Sequence, residues 1–342
     1  MSHLIIHMSE ELMGQYVEQK MRALFFQKTG SLSNLQVGER PVPVPVESEA
    51  LVQIKAAAIN PSDAKNVMGK FLSTTLPRIP GRDFSGIVLK GPSTLVGREV
   101  FGAGGNLGFG RDGSHAEMLA VPAETLALKP SSFSYAQAAA LGVAFLTAWQ
   151  SVMNAGKLQS GETILIIGAS GQVGSTAAQL AKAKGARVLG TLSKASGLSR
   201  VSHLPVDSWI ALDEKRLPDT VLELTGGKGA AMIFDTVGGP MFEEGLKSLA
   251  HRGRQVAISS LGDPRVSLNL VDFYHKESVL MGVDSLKLSF AESGEILRQW
   301  VPLMEAGKIT PPRTETVSLD QAAAAYEKVL NGTARDKQVI IF

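Results

Sequence analysis

Residues 162–193 read ETILIIGASGQVGSTAAQLAKAKGARVLGTLS. The run Thr163–Ile167 is apolar and strand-like, and it leads into Gly168-Ala169-Ser170-Gly171-Gln172-Val173-Gly174. From there Val173, Ala177, Leu180 and Ala181 recur at helical spacing. A strand, a tight turn and a helix in that order suit an anionic ligand. Glycine is needed where a diphosphate must approach backbone N–H groups at a helix N-terminus, and again where the helix packs closely on its strand. Gly171 and Gly174 take those two roles, while Ala169 stands at the first glycine of the usual G-x-G-x-x-G spacing. The segment Ser170, Gly171, Gln172, Val173 and Gly174 is therefore expected to cradle a dinucleotide.

The end of the following strand selects the dinucleotide. An acidic residue about twenty positions past the glycines would hold an adenosine ribose 2′-OH. Between Glu162 and Asp207 there is no Asp or Glu, and Ser193, Lys194 and Arg200 follow the strand Val188–Thr191. Hydroxyl and cationic groups suit a 2′-phosphate, so NADPH is the expected cofactor in preference to NADH.

Outward from this motif, strand-like and helix-like runs alternate. TILIIG, ARVLGT, AAMIFDTVGG and RQVAISSLG are continuous apolar stretches, as in parallel strands covered on both faces. The alternation predicts a doubly wound α/β domain ending near Met281. Before it, AQAAALGVAFLTAWQSVMNAG is helical in composition. The earlier chain reads as short strands: MRALFF, the proline-punctuated PVPVPVESE, Leu51–Ala58, Phe84–Leu89, Glu99–Phe101 and His115–Val121. The glycine-rich FGAGGNLGFGRDG reads as a loop, because no helix pattern starts after it. The tail carries a capping box, Ser318-Leu319-Asp320-Gln321, and a closing strand KQVIIF.

Composition narrows the chemistry. The 342 residues are 44% hydrophobic and 19% charged, a globular balance with room for two domains. With 34 Lys+Arg against 32 Asp+Glu the formal charge is +2, so nucleic acid is not an expected partner. There are no cysteines, which excludes disulfides, thiolate-bound metals and thiol catalysis. No apolar run approaches the roughly 18 residues of a membrane span, so no membrane association is expected. The first twenty residues lack a basic start and offer only Leu4–Ile6 as an apolar run. They do not read as a secretory signal, which makes a cytoplasmic location the expectation. Residues 1–20 are expected to be a flexible extension, and the pair His3 and His7 has no third ligand near it.

The stretches AAINPSDAKNVMG, IPGRDFSGIV, AALGVAFLTAW, ASGQVGSTAAQLAKAKGARVLGT, LTGGKGAAMIFDTVGG and ARDKQVIIF together resemble the zinc-free quinone oxidoreductase branch of the medium-chain dehydrogenase/reductase superfamily. The resemblance runs from Met21 to Phe342. It implies a Rossmann nucleotide-binding domain, residues 145–283, inserted into a GroES-like β-rich catalytic domain formed by residues 21–144 and 284–342. Where zinc-dependent members carry a cysteine this chain has Asn60, and where they carry Gly-His-Glu it has Gly81-Arg82-Asp83. No metal is therefore expected.

By the same resemblance Asn60 and Asp63 line the nicotinamide pocket, and Thr147 contacts the cofactor. Lys194 meets the 2′-phosphate, and Lys337 lies where the tail meets the cofactor. Val237, Ser259 and Leu261 fall in loops bordering the nicotinamide half. Local chemistry offers other roles: Asp63 as a helix N-cap, Thr147 as a helix-surface residue, Asp235 as a strand-end turn former. Tyrosines often found after the Asn-x-x-Asp pair are replaced by Lys65 and Phe71. Lys65 is thus the one new titratable candidate there, beside solvent as proton source. The implied activity is NADPH-dependent hydride transfer to a quinone or an α,β-unsaturated carbonyl. Alternatives are a 2-enoyl thioester reductase and a catalytically weak, crystallin-like NADPH-binding protein. The resemblance also implies a homodimer through the edge strand of the nucleotide domain.

Overall fold

The computed structural model describes residues 19–342. His3, His7 and nearly all of the expected N-terminal extension lie outside the described residues. The chain divides into two compact units, Ala144–Ser285 and the remainder through Val143 and from Leu286 onward.

The first part of the chain supplies β1 (Lys20–Phe25), β2 (Gln36–Pro41), β3 (Glu49–Ala58), α1 (Pro61–Val67), β4 (Asp83–Lys90), β5 (Glu99–Gly102), β6 (Met118–Pro122), β7 (Leu126–Leu128) and α2 (Tyr135–Ala139). Helix α3 (Gly142–Trp149) contains the boundary between units. The second unit holds β8 (Thr163–Ile167), α4 (Gln172–Ala183), β9 (Arg187–Leu192), α5 (Leu198–Val201), β10 (Ser208–Ala211), α6 (Leu217–Leu224), β11 (Ala230–Asp235), α7 (Met241–Lys247), β12 (Leu249–Ala257), α8 (Leu270–His275) and β13 (Val279–Gly282). The tail adds α9 (Phe290–Glu305), β14 (Thr314–Ser318), α10 (Ala322–Leu330) and β15 (Lys337–Ile341) to the first unit.

The first unit is the GroES-like one. Its main sheet runs β14-β15-β3-β4-β5-β7, with β6 also paired to β3. Strand β15 lies antiparallel to β3 with Val339 opposite Ala58 and Ile341 opposite Ala56, so the tail completes a sheet begun near the start of the chain. Ala56 and Ala58 pack with Ala139, Ala140 and Val339, where small side chains let α2 approach the sheet. A second core layer joins Leu24, Phe26, Ile59, Val67, Leu319, Tyr326 and Ile340. Each fully buried Leu, Ile or Phe contributes about 1.5–3 kcal/mol of transfer free energy.

In the second unit the order is β10-β9-β8-β11-β12-β13 and every pair is parallel. This is the doubly wound Rossmann order, and the continuous apolar runs have the cause expected of them. Leu165, Ile167, Leu189, Ile210, Ile233 and Leu249 are all buried in one core with Leu217, Val221 and Phe242 from the covering helices.

Several elements differ from the sequence reading. β1 begins at Lys20, inside the expected extension, and Gln19 O accepts the Val42 N–H at 2.9 Å. PVPVPVESE is not a strand: β2 ends at Pro41, and Pro43 and Pro45 have no N–H to give a ladder. The long helical stretch is broken into α2 and α3, and it widens into a π-turn over Gln150–Ala155. The sixteen-residue α9 was not anticipated, although Ser289 and Glu292 form a capping box and Ile296, Trp300 and Met304 recur at helical spacing. The expected Ser318–Gln321 capping box is present and opens the turn that becomes α10.

Candidate functional site

The second unit builds a cradle at the C-terminal ends of its central strands. β8 neighbours β9 on one side and β11 on the other, so the winding reverses between β8 and β11 and leaves a crevice there. Gly168, just past β8, has φ +81, and a Cβ on it would stand 2.4 Å from Thr236 Oγ1. A Cβ on Gly174 would stand 2.3 Å from Gly168 O, which is why the helix can sit so close to the strand it follows. The left-handed residue is therefore Gly168, and Ala169 occupies a position that tolerates a side chain. Gly171 is the N-cap of α4 and, having no side chain, supplies no side-chain cap.

The facing turn comes from Asp235, which is buried. Its Oδ1 accepts the N–H groups of Val237 and Gly238 at 3.0 and 2.8 Å. Burial raises its carboxyl above the ordinary range, and those two N–H bonds oppose the rise. Thr236 Oγ1 donates to Ile167 O at 2.8 Å, and Leu261 N–H donates to Val237 O at 2.8 Å. The turns after β8, β11 and β12 are thus tied into one rim.

Past β9, Ser193, Lys194 and Arg200 are exposed. The Ala195 N–H beside them donates to Asp213 Oδ1 at 3.0 Å. A segment free of acids in sequence therefore has a carboxylate next to it in space, delivered by the turn after β10.

The first unit holds a buried polar cluster. Asn60 is the N-cap of α1 with Pro61 as its first helical residue, and Asp63 Oδ2 accepts the Asn60 N–H at 2.8 Å. Asn60 Nδ2 donates to Asp83 Oδ2 at 2.9 Å, and Lys337 Nζ donates to Asn60 Oδ1 at 2.5 Å. Lys337 and Asp83 stand 3.9 Å apart as an ion pair. Arg82 is 1% exposed and lies 5.8 Å over the Phe109 ring. Two carboxylates and two cations are thus gathered away from water.

Burial dominates their titration. It pushes Asp63 up to about 7, with the neighbouring Asp83 charge adding to the rise and Arg82 and Lys337 opposing it. Asp83 is also raised by burial, against the pull of Lys337, while burial lowers Lys337.

Next to this cluster His115 and Tyr326, both wholly buried, face each other, with Tyr326 OH 2.9 Å from His115 Nδ1. The other ring nitrogen, Nε2, lies 3.3 Å from Ala58 O. A carbonyl only accepts, so Nε2 carries the proton and Nδ1 accepts from the phenol. Burial holds His115 down to about 4, so it is neutral at ordinary pH.

Among the described residues no group of three or more His, Cys, Asp or Glu is arranged to hold a metal ion. With Asn60 and Arg82 at the positions in question, the donor set does not fit zinc. No described helix is long and apolar enough to cross a membrane.

Residues 46–131 match the family described as alcohol dehydrogenase GroES-like domain, and residues 173–299 match the family described as zinc-binding dehydrogenase. A zinc-type alcohol dehydrogenase-like protein of Schizosaccharomyces pombe is 35% identical over 318 residues, 91% of this chain and 93% of that protein. The 2-methylene-furan-3-one reductase of Solanum lycopersicum is 31% identical, over 95% of this chain and 80% of its own. Among solved structures, the quinone oxidoreductase of Pseudomonas syringae pv. Tomato DC3000 superposes with a TM-score of 0.83 at 26% identity, covering 94% of this chain and all of that one. The chain belongs to the medium-chain dehydrogenase/reductase superfamily, in its quinone oxidoreductase branch.

In this quinone oxidoreductase relative the sequence-derived candidates fall into distinct groups. Ser170, Gly171, Gln172, Val173 and Gly174 form the turn into α4, and Val237 and Leu261 belong to the tied rim. Ser259 is exposed at the end of β12. Thr147 is buried, not on a helix surface, and its hydroxyl donates to Ser285 Oγ at 2.8 Å. Asn60 and Asp63 lie together at the start of α1, joined by the Asn60 N–H to Asp63 Oδ2 bond. Lys65 does not join them: two residues on from Asp63, it is exposed on the other side of α1. Lys337, expected at the cofactor, gives its ammonium to Asn60 and Asp83 inside the first unit. Sequence reasoning missed Asp83 as a partner of Asn60, and it missed the His115–Tyr326 pair. The signal for Asp83 was its place in the Gly-Arg-Asp stretch; the His115–Tyr326 pair left none.

Proposed function

We propose that this oxidoreductase is a zinc-independent, NADPH-dependent reductase of quinones or α,β-unsaturated carbonyls. The observation that carries the proposal is the buried Asn60–Asp83–Lys337 network with Arg82 beside it, which puts an oriented amide and fixed cations where a metal-dependent relative would need thiolate and imidazole ligands.

The residues fit a dinucleotide. Close approach at Gly168 and Gly174, and a helix start capped by Gly171, suit a diphosphate. Exposed Ser193, Lys194 and Arg200 suit a 2′-phosphate. When bound, the cofactor supplies the hydride. The chain's own part is to receive the charge that develops on the substrate oxygen. Asn60 Nδ2 has a second hydrogen to offer that oxygen, held in a buried site. Asp63, whose carboxyl burial pushes up to about 7 so that it titrates near neutrality, is the acid adjoining Asn60 that can exchange a proton with the product.

A panel of quinones, enones and 2-enoyl thioesters, assayed with NADPH and NADH, tests this. Consumption of NADPH with a quinone or enone is the expected result. Cofactor binding without consumption would identify a binding protein instead, and preference for thioesters would move the substrate class.

We also propose a homodimer through the edge of the second unit. β13 ends the sheet, and Val279 and Leu280 on it are exposed together with Leu270, Val271 and Tyr274 of α8. Sedimentation is expected to show a dimer that Leu280→Lys dissociates; a monomeric wild type would refute it.

A further inference from the structure

Lys337 and Asp83 grip the two ends of a single amide. The ammonium donates to Asn60 Oδ1 at 2.5 Å and the carboxylate accepts from Asn60 Nδ2 at 2.9 Å, and all three residues are 5% exposed or less. A flip of the amide would aim its NH2 at an ammonium and its oxygen at a carboxylate, repulsive at both ends in a desolvated site. The grip is itself fixed. Asp83 Oδ1 accepts the Val143 N–H at 2.9 Å, Asp83 O accepts from Ser114 Oγ at 3.0 Å, and Lys337 begins the strand paired between β14 and β3. The Asn60 backbone is held by Asp63.

We infer that Lys337 and Asp83 are positioning residues that lock the Asn60 amide in one orientation and leave its second Nδ2 hydrogen as the donor to a substrate oxygen. Lys337 thus acts through Asn60 and is not a cofactor contact. The lock is a property of the resting protein; only its use in turnover rests on the reductase function proposed above. A donor fixed in advance needs no reorganisation when charge appears.

Side-chain amide spectra of the full-length 15N-labelled protein read the lock directly, with the Asn60 pair identified by its loss in Asn60→Ala. The wild type should show two widely separated, slowly exchanging amide protons, and Lys337→Met should bring them together and speed their exchange. An unchanged pair in Lys337→Met overturns the inference. If that variant does not fold, Asp83→Asn is read in the same way: replacing the charged acceptor with a neutral one should narrow the separation, and no change overturns the inference.

A double-mutant cycle then reads its use. Asn60→Ala and Lys337→Met should each lower kcat about tenfold, and the double variant should be no worse than Asn60→Ala, with KM for NADPH unchanged throughout. Losses that multiply to about a hundredfold overturn the positioning role. So does a raised KM with kcat intact in Lys337→Met, which would mark a cofactor contact. A wild type that turns over nothing in the panel defeats the reductase function, while the spectra still decide the lock.

Discussion

Asn60 opens α1 with its backbone and joins Lys337 to Asp83 with its side chain. Under the proposed function that amide is a donor used most in the transition state, so Asn60→Ala should lower turnover by roughly tenfold or more. Lys65, exposed on the far side of the same helix, should tolerate Ala with little change. Steady-state kinetics on the best substrate check both. Asp63 adds a pH dependence. Its carboxyl is pushed from the ordinary 3.8 to about 7, so between those values the folded chain keeps a proton that the unfolded chain has released. This group's contribution therefore makes stability fall as pH rises across that window, and Asp63→Asn, which cannot ionise, should flatten the fall. Urea unfolding at about pH 5 and about pH 8 measures it: the gap between the two should be smaller in the variant than in the wild type.

At the scale of elements, the turn from β8 into α4 and the turn after β9 do different work. The first is a matter of backbone, written in Gly168 and Gly174, where no Cβ fits. The second is a matter of charge, carried by exposed Lys194 and Arg200. Lys194→Ala should weaken NADPH by about 1–3 kcal/mol, the range for hydrogen bonds to charged groups, and leave NADH nearly unaffected. Fluorescence titration with both dinucleotides checks this, and equal wild-type affinities would show that the stretch does not select a 2′-phosphate. Asp213, which holds the Ala195 N–H, sets a carboxylate beside the same turn. The charge beside this turn is therefore a balance between nearby cations and one acid, and only the cations were visible as neighbours in sequence.

For the molecule as a whole, the absence of cysteine and the presence of Arg82 and Lys337 among the buried carboxylates leave zinc no donor set among the described residues. Extended dialysis against a chelator should leave both activity and thermal midpoint unchanged, and elemental analysis should find no stoichiometric zinc. One zinc per chain would contradict this. The first unit gains its site from both ends of the chain: β15 brings Lys337 to Asn60 across 277 positions, and α10 brings Tyr326 to His115 across 211. Its folding thus depends on contacts of very long sequence separation, whereas the second unit is wound from consecutive strands and helices.

That contrast separates what sequence alone determined from what tertiary structure decided. The doubly wound unit was legible because each of its requirements is local: apolar runs for strands covered on both faces, glycine where no Cβ fits, helical spacing after it. Asn60 and Asp63 were legible as a pair because they are one helical turn apart. The placement of Lys337 against Asn60 and Asp83, of Asp213 beside Ala195 and of Tyr326 on His115 was not. Those meetings are fixed by sheet register and by the turns that end distant strands, and no residue's own neighbours in the chain encode them. Even the outward turn of Lys65 and the inward turn of Thr147 depend on which side of a helix its neighbours cover, a choice made only when the elements pack.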